Sequence, residues 1–378
     1  MRRSDEKILT THIGSLPDFV ALDEGAADHD AKLREAVAGA VKKQRDTGLD
    51  IINEGEFTKH GDWLRYVETR LGGFEPRQEP VTVFTGGKDR QEFADFYKYA
   101  TESGTLFYRP KENMARPVPS WACTGPVTYK GAAAMQREID LFKAALGSTP
   151  PGDAFLTTTA PASLEPYRRN EFYKSEEEFV YAIAEAMKVE YKMIADAGFL
   201  VHVDDAWLVA LWDRIGIPMG LPAFKKFCLM RVEALNHALA GIPPEQVRYH
   251  LCWGSWHGPH VYDMPMADIV DVMLRVNAQC YLFEAANARH EHEYVVWETV
   301  KLPAGRIIAP GMVTHSTDVV EHPELVSQRI QRFAKLVGKE NVIAGCDCGF
   351  GRRSHPQIGW AKLRALVEGA ALATRALR

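Results

Sequence analysis

The run Val247-Arg248-Tyr249-His250-Leu251-Cys252-Trp253 decides how this chain is read. Its β-branched and aromatic residues make a short strand. The stretches Ala223–Ala240 before it and Met266–Asn277 after it carry the apolar spacing of amphipathic helices. A further strand-like run, Cys280–Ala286, follows. Strand, helix and strand in that order predict a parallel sheet with a crossover helix. Side chains alternate along a strand with period two, so His250 and Cys252 share one face. Both side chains could therefore ligate one ion.

The same alternation extends in both directions. Candidate strands are Ile8–Ser15, Leu49–Phe57, Val118–Tyr129, Ala154–Pro161, Leu200–Asp205, Val247–Trp253, Cys280–Ala286, Arg306–His315 and Asn341–Cys348. Candidate helices besides the two above are Lys32–Thr47, Ala132–Leu146, Glu176–Ala197, Pro323–Val337 and Gly359–Thr374. Ser175, with Glu178 three residues on, is a capping box for the third of these. The reading is an α/β fold, a (β/α)8 TIM barrel with an insertion after the second strand. Nine strands is one too many for that barrel, so either Val118–Tyr129 or Ala154–Pro161 lies outside it. Thr58–Ala115 differs in texture and reads as an excursion, a cap or a dimer contact. No linker rich in Pro, Gly and Ser divides residues 1–378, which favours a single domain.

Composition narrows the function classes. Of 378 residues, 46% are hydrophobic and 25% charged, enough for a large core. Lys and Arg number 45 against 50 Asp and Glu, which argues against a nucleic-acid partner. No apolar run reaches the ~18 residues of a membrane span. The N-terminal MRRSDEKILTTH lacks the apolar core of a secretory signal, so a cytoplasmic location is expected. The six cysteines then read as thiols rather than bridges.

In a barrel of this kind the active site lies at the C-terminal strand ends. Those ends carry Ser15, Glu56, Asp204, Asp205, His250, Cys252, Glu284, His315 and Cys348. His250, Cys252, Glu284 and Cys348 offer an imidazole, two thiolates and a carboxylate, a tetrahedral set whose sulfur favours Zn²⁺. Cys346 shares the face of Cys348 and stands as an alternative ligand. The remaining cysteines, Cys123, Cys228 and Cys280, read as packing residues.

Taken in order, Thr11-His12-Ile13-Gly14-Ser15, Gly55-Glu56, Val203-Asp204-Asp205, His250-x-Cys252, Glu284, Pro310-Gly311…His315 and Asp347-Cys348-Gly349 resemble the catalytic C-terminal barrel of cobalamin-independent methionine synthase. They also resemble its single-barrel relatives, which include epoxyalkane:coenzyme M transferases. The resemblance runs from Thr11 to about Gly351. It implies that Ile13, Gly14 and Ser15 hold the carboxylate of a homocysteine-type acceptor, and that Glu56 and Asp204 hold its ammonium. It gives His315 the role of proton donor to the leaving group, and it makes Zn²⁺ the cofactor that activates the thiol.

The chain departs from the folate-dependent pattern in one respect. Neither Gly125-Pro126-Val127-Thr128 nor Thr159-Ala160-Pro161 is followed shortly by the tryptophan that packs on the pterin, although Tyr167 is a candidate substitute. The family's large N-terminal barrel is also absent from this sequence, so the methyl donor stays open. The aromatic loop Cys252–His260 and the run His290-Glu291-His292-Glu293 are expected to wall the pocket. The function expected is zinc-dependent alkyl transfer to a thiol, foremost a methionine-synthase-like S-methyltransferase. The alternative is opening of a small epoxide by a thiol such as coenzyme M, where Arg352-Arg353 would offset the sulfonate charge. Partners are then a small-molecule thiol and an alkyl donor, with neither nucleic acid nor membrane, and a homo-oligomer is compatible with the sequence.

Overall fold

Strands too short and apolar to face water on either side account for the centre of this protein. A computed structural model describes residues 1–18, 20, 22, 25–59, 65–79, 86–107, 120–148 and 150–378. Its strands are β1 (Leu9–Thr10), β2 (Leu71–Arg77), β3 (Ser120–Tyr129), β4 (Phe155–Thr159), β5 (Arg168–Asn170), β6 (Leu200–Asp205), β7 (Val247–Leu251), β8 (Cys280–Phe283), β9 (Ile307–Val313) and β10 (Ile343–Cys346). Seven of them form one curled parallel sheet in the order β1-β10-β9-β8-β7-β6-β4. Every residue of β4, β7, β8, β9 and β10 is buried, as expected when a parallel sheet is covered on both faces.

The expected second strand is reduced to two single-residue bridges. Thr11 pairs with Ile51 and Ile52 pairs with Ala154, so this segment lies between the two edges of the sheet. The Asp50 carboxylate reinforces it, accepting from the backbone N–H and the hydroxyl of Thr10, both at 3.0 Å. Extended backbone stops early because Gly55 and Glu56 take left-handed conformations, with φ of 88° and 60°.

The surplus strand is also resolved. β4 belongs to the large sheet, whereas β3 lies in a separate three-stranded sheet, antiparallel to β2 and parallel to β5. Burial gives the reason. β4 is buried throughout, but β3 alternates with partly and fully exposed positions and suits a sheet with one wet face. The small sheet carries the excursion past Ala115 to Tyr129.

Helices His29–Thr47, Ala132–Leu146, Glu176–Asp196, Leu221–Ala238, Met266–Met273, Pro323–Val337 and Pro356–Ala376 follow the expected stretches closely. At Ser175 the hydroxyl accepts from Glu178 N at 3.1 Å. The Glu178 carboxylate reaches one residue further back than a capping box requires, to Lys174 N. Among the described residues no helix is long and apolar enough to cross a membrane.

A buried ionic network joins the excursion to the sheet. Arg70 donates to Glu138 at 2.8 Å and to Glu190 at 3.0 Å, and Lys59 also pairs with Glu138. Glu190 further accepts from Tyr66, Tyr129 and Thr158. These residues are scattered from position 59 to 190, and no local pattern in the sequence announces them.

Candidate functional site

Strand register builds the site. β6 and β7 pair with Asp204 opposite His250, so the two side chains stand side by side on the inner face. Asp204 Oδ1 lies 2.7 Å from His250 Nδ1, which leaves Nε2, 3.2 Å from the Asp347 carbonyl, as the ligand atom. Two residues deeper on the same face, Arg248 crosses the interior to Thr11 Oγ1 (2.9 Å) and the His12 carbonyl (2.8 Å). This fixes β7 against β1 below the site.

The donor atoms of His250, Cys252 and Cys348 all lie within 4.8 Å of one another, and all three residues are buried. Cys252 Sγ and Cys348 Sγ are 3.9 Å apart. Tetrahedral zinc with bonds of about 2.3 Å places two sulfurs roughly 3.8 Å apart, so the donor set fits that ion. Cys346 does not join the cluster. Its thiol points to the Thr11 carbonyl at 3.9 Å, and β10 ends at Cys346, so Cys348 lies beyond the strand and outside its alternation.

Glu284 stands beside this trio rather than in it. Its oxygens accept from Trp253 N at 3.1 Å and Asn287 Nδ2 at 2.8 Å. Asp347, between the two cysteines in sequence, accepts from Ala285 N, Ala286 N and Asn287 Nδ2 at 2.7, 2.8 and 3.1 Å. It locks the loop after β8 to the loop that carries Cys348. A side chain at Gly311 would meet Asp347 Oδ1 at 1.9 Å, so glycine is needed there for the lock to close. The positioning roles of Asp347 and Asn287 were not foreseen. The signal for Asp347 in the sequence is its place between two cysteines, in Asp347-Cys348-Gly349.

The hydrogen bond from the Cys252 thiol holds Cys348 down as a thiolate against the effect of burial, and Cys252 is correspondingly pushed up. Burial opposes a charged His250, but the Asp204 hydrogen bond and charge override it and raise the imidazole to about 9. Burial lifts Glu284 to about 8.

The expected substrate residues converge beside this cluster. A Cβ on Gly14 would fall 2.0 Å from Glu56 Oε1 and 2.9 Å from Thr157 Oγ1, so Gly14 permits the approach of Glu56. Burial raises Glu56 to about 8 despite the nearby Lys59. Ile13 is buried and Ser15 half-buried, with the Ser15 carbonyl accepting from Phe350 N at 2.9 Å. His315 is buried. Burial first, then the Arg353 charge and the histidines around it, hold it well below the usual imidazole range.

Of the histidines expected to wall the pocket, His260 and His290 are tied together by Asp263, at 2.9 and 3.2 Å, and His290 also bonds Glu293 at 2.7 Å. The His290 ring packs 4.8 Å from Trp253, behind Glu284. His292 is exposed and takes no part. Tyr167 holds Trp207 through a 2.9 Å hydrogen bond from the indole N–H.

One consequence can be tested directly. A histidine ligand oriented by a carboxylate binds metal about 10- to 100-fold more weakly when that carboxylate is removed. Asp204→Asn is therefore expected to lower zinc affinity by that factor with little change in melting temperature. Competition with a chromogenic chelator would measure it.

Residues 167–372 match the family model described as the catalytic domain of cobalamin-independent synthase. Protein YxjH of Bacillus subtilis (strain 168) is 24% identical, over 94% of this chain and 92% of its own. A methionine synthase of Saccharolobus islandicus (strain Y.N.15.51 / Yellowstone #2) is 23% identical over 95% and 93%. In fold, the chain is similar to a B12-independent methionine synthase from Shewanella sp. W3-18-1 in complex with selenomethionine. That comparison gives a TM-score of 0.71 and 16% identity, covering 98% of this chain and 99% of the other. The putative vitamin-B12 independent methionine synthase from Listeria monocytogenes gives 0.65 and 18%, covering 97% and 98%.

Proposed function

The chain belongs to the cobalamin-independent synthase catalytic-domain family, a family of methyltransferases, and from that premise we propose that it transfers a methyl group to a zinc-activated thiol, with a homocysteine-type acceptor. The observation that carries this reading is the buried trio His250, Cys252 and Cys348 with Asp204 behind the imidazole. Bound there, zinc would supply the positive charge that keeps an acceptor thiol deprotonated at neutral pH. Glu284, already held by Trp253 and Asn287, is the fourth ligand or the group that gives way to the acceptor. Gly14 and Ser15 line the acceptor site with Ile13 beneath them, and Glu56 and Asp204 offer carboxylates to an ammonium. His315 is the proton donor to the leaving group.

We read the architecture as a (β/α)8 barrel in which Ile51 and Ile52 are the short second strand, with the excursion as an insertion after it. Residues 1–378 then act as one catalytic domain, because the site draws on Ser15 at one end and Cys348 at the other. A second reading, ring opening of a small epoxide by an anionic thiol, is favoured by the guanidinium of Arg353 near the cluster.

Elemental analysis of protein produced with zinc is expected to find about one zinc per chain, in keeping with one closed donor set. That protein is then offered homocysteine or coenzyme M, each with methyl-folate, methylcobalamin or epoxypropane, and thiol loss is followed. Turnover of homocysteine with a methyl donor supports the first reading, and of coenzyme M with epoxypropane the second. Zinc-loaded protein that consumes no thiol in any pairing would overturn both.

A further inference from the structure

We propose that Arg353 determines acceptor specificity by taking the anionic end, carboxylate or sulfonate, of the thiol substrate. The inference rests on the thiol-transfer reading above and adds the chemical class of the acceptor.

The turn after Cys348 places this residue. Phe350 N and Gly351 N both donate to the Ser15 carbonyl, at 2.9 and 3.2 Å. A Cβ on Gly349 would lie 2.3 Å from Ser15 Oγ, so the turn sits directly on the Ser15 segment. The turn holds an uncommon backbone conformation, with Arg352 at φ 61°. Arg353 then reaches across the mouth. Its Nε donates to Ser255 Oγ at 2.8 Å, three residues beyond Cys252, and its Nη1 donates to the Gly351 carbonyl at 2.9 Å. Its third side faces the ring of Phe107, 5.3 Å from the guanidinium carbon, on the excursion. The guanidinium therefore stands where the Ser15 turn, the Cys252 loop and the excursion meet.

Its partners there are neutral. An arginine carries five N–H donors in a rigid fork. Ser255 and Gly351 engage two of them, and among the described residues no carboxylate forms an ion pair with it. A half-buried guanidinium with unspent donors next to a thiol-binding centre suits a planar carboxylate or a sulfonate. Glu56 and Asp204 supply the opposite polarity for an ammonium. The two together fit a thiol that carries both charges.

Isothermal titration of the zinc-loaded protein with 3-mercaptopropionate, 2-mercaptoethanesulfonate and uncharged 2-mercaptoethanol tests this. In Arg353→Gln, the preference for the anionic thiols over mercaptoethanol is expected to fall about 10- to 100-fold, the worth of a charge-assisted hydrogen-bond pair. Arg353→Lys keeps the charge without the fork, and part of the preference should survive. The tighter of the two anionic thiols in the unaltered protein identifies carboxylate or sulfonate as the natural end. A uniform loss for all three thiols would show that Arg353 acts on the thiolate itself and would overturn the proposal, as would an unchanged preference. If the unaltered zinc protein binds none of the three, the thiol-transfer reading fails, and the proposal fails with it.

Discussion

Cys348→Ser is expected to leave a folded protein that no longer retains zinc and no longer turns over. Cys348 supplies the thiolate of the buried pair, held in that state by the Cys252 thiol, and serine cannot replace it as a soft ligand. Zinc content should drop from about one per chain to a small fraction of that, and activity by several orders of magnitude, because metal affinity is built from all the ligands together. The fold should survive. The loop carrying Cys348 is fastened independently by Asp347, which accepts from Ala285 N, Ala286 N and Asn287. Elemental analysis, a thiol-consumption assay and calorimetry on the same sample would check all three statements. A large fall in melting temperature with no thiol response in the unaltered protein would instead mark the metal as structural.

The second large effect concerns stability. Glu190 is fully buried and accepts from Arg70, Tyr66, Tyr129 and Thr158. Glu190→Ala removes one of the two carboxylates that the buried Arg70 guanidinium pairs with, leaving it Glu138 alone, and takes an acceptor from three hydroxyls at once. Breaking a buried, hydrogen-bonded ion pair by removing one partner costs about 3–5 kcal/mol. Urea denaturation should show a loss of this size, while Glu190→Gln, which keeps the shape and two acceptor lone pairs, should lose less. A change below about 1 kcal/mol, the range of an exposed pair, would mean that the network contributes little to holding the excursion on the sheet.

Much of the site could be read directly from short stretches of sequence. His250 and Cys252 share a face because strand side chains alternate, and that rule needs no knowledge of neighbouring strands. The same locality made the long helices legible, including both ends of Ala132–Leu146 and Pro323–Val337. Other features depended on which strand lies next to which. Parity leaves Cys346 as an alternative to Cys348, which the Cys-Gly closing the strand favours, and the structure separates the two because β10 ends at Cys346 and Cys348 joins the cluster. Asp204 reads from the sequence as a residue facing a substrate ammonium, and only its register opposite His250 shows that one of its oxygens also meets the imidazole. Arg353 appeared as half of an arginine pair, and only the fold brought Ser255 and Phe107 to it.

What the sequence determined by itself is therefore the periodic part: alternating strands and helices, polar groups at the strand ends, and a two-residue spacing that presents a nitrogen and a sulfur ligand together. These follow from local backbone geometry, in which the position of one side chain fixes the direction of the next. The tertiary structure decided the rest: that β3 belongs to a second sheet, that Asp347 locks the Cys348 loop, and that Lys59, Arg70, Glu138 and Glu190 form one network. Each of these joins residues separated by tens of positions or more, up to 131 from Lys59 to Glu190. Their pairing is set by strand order and by the need to satisfy buried charge, neither of which has a period along the chain.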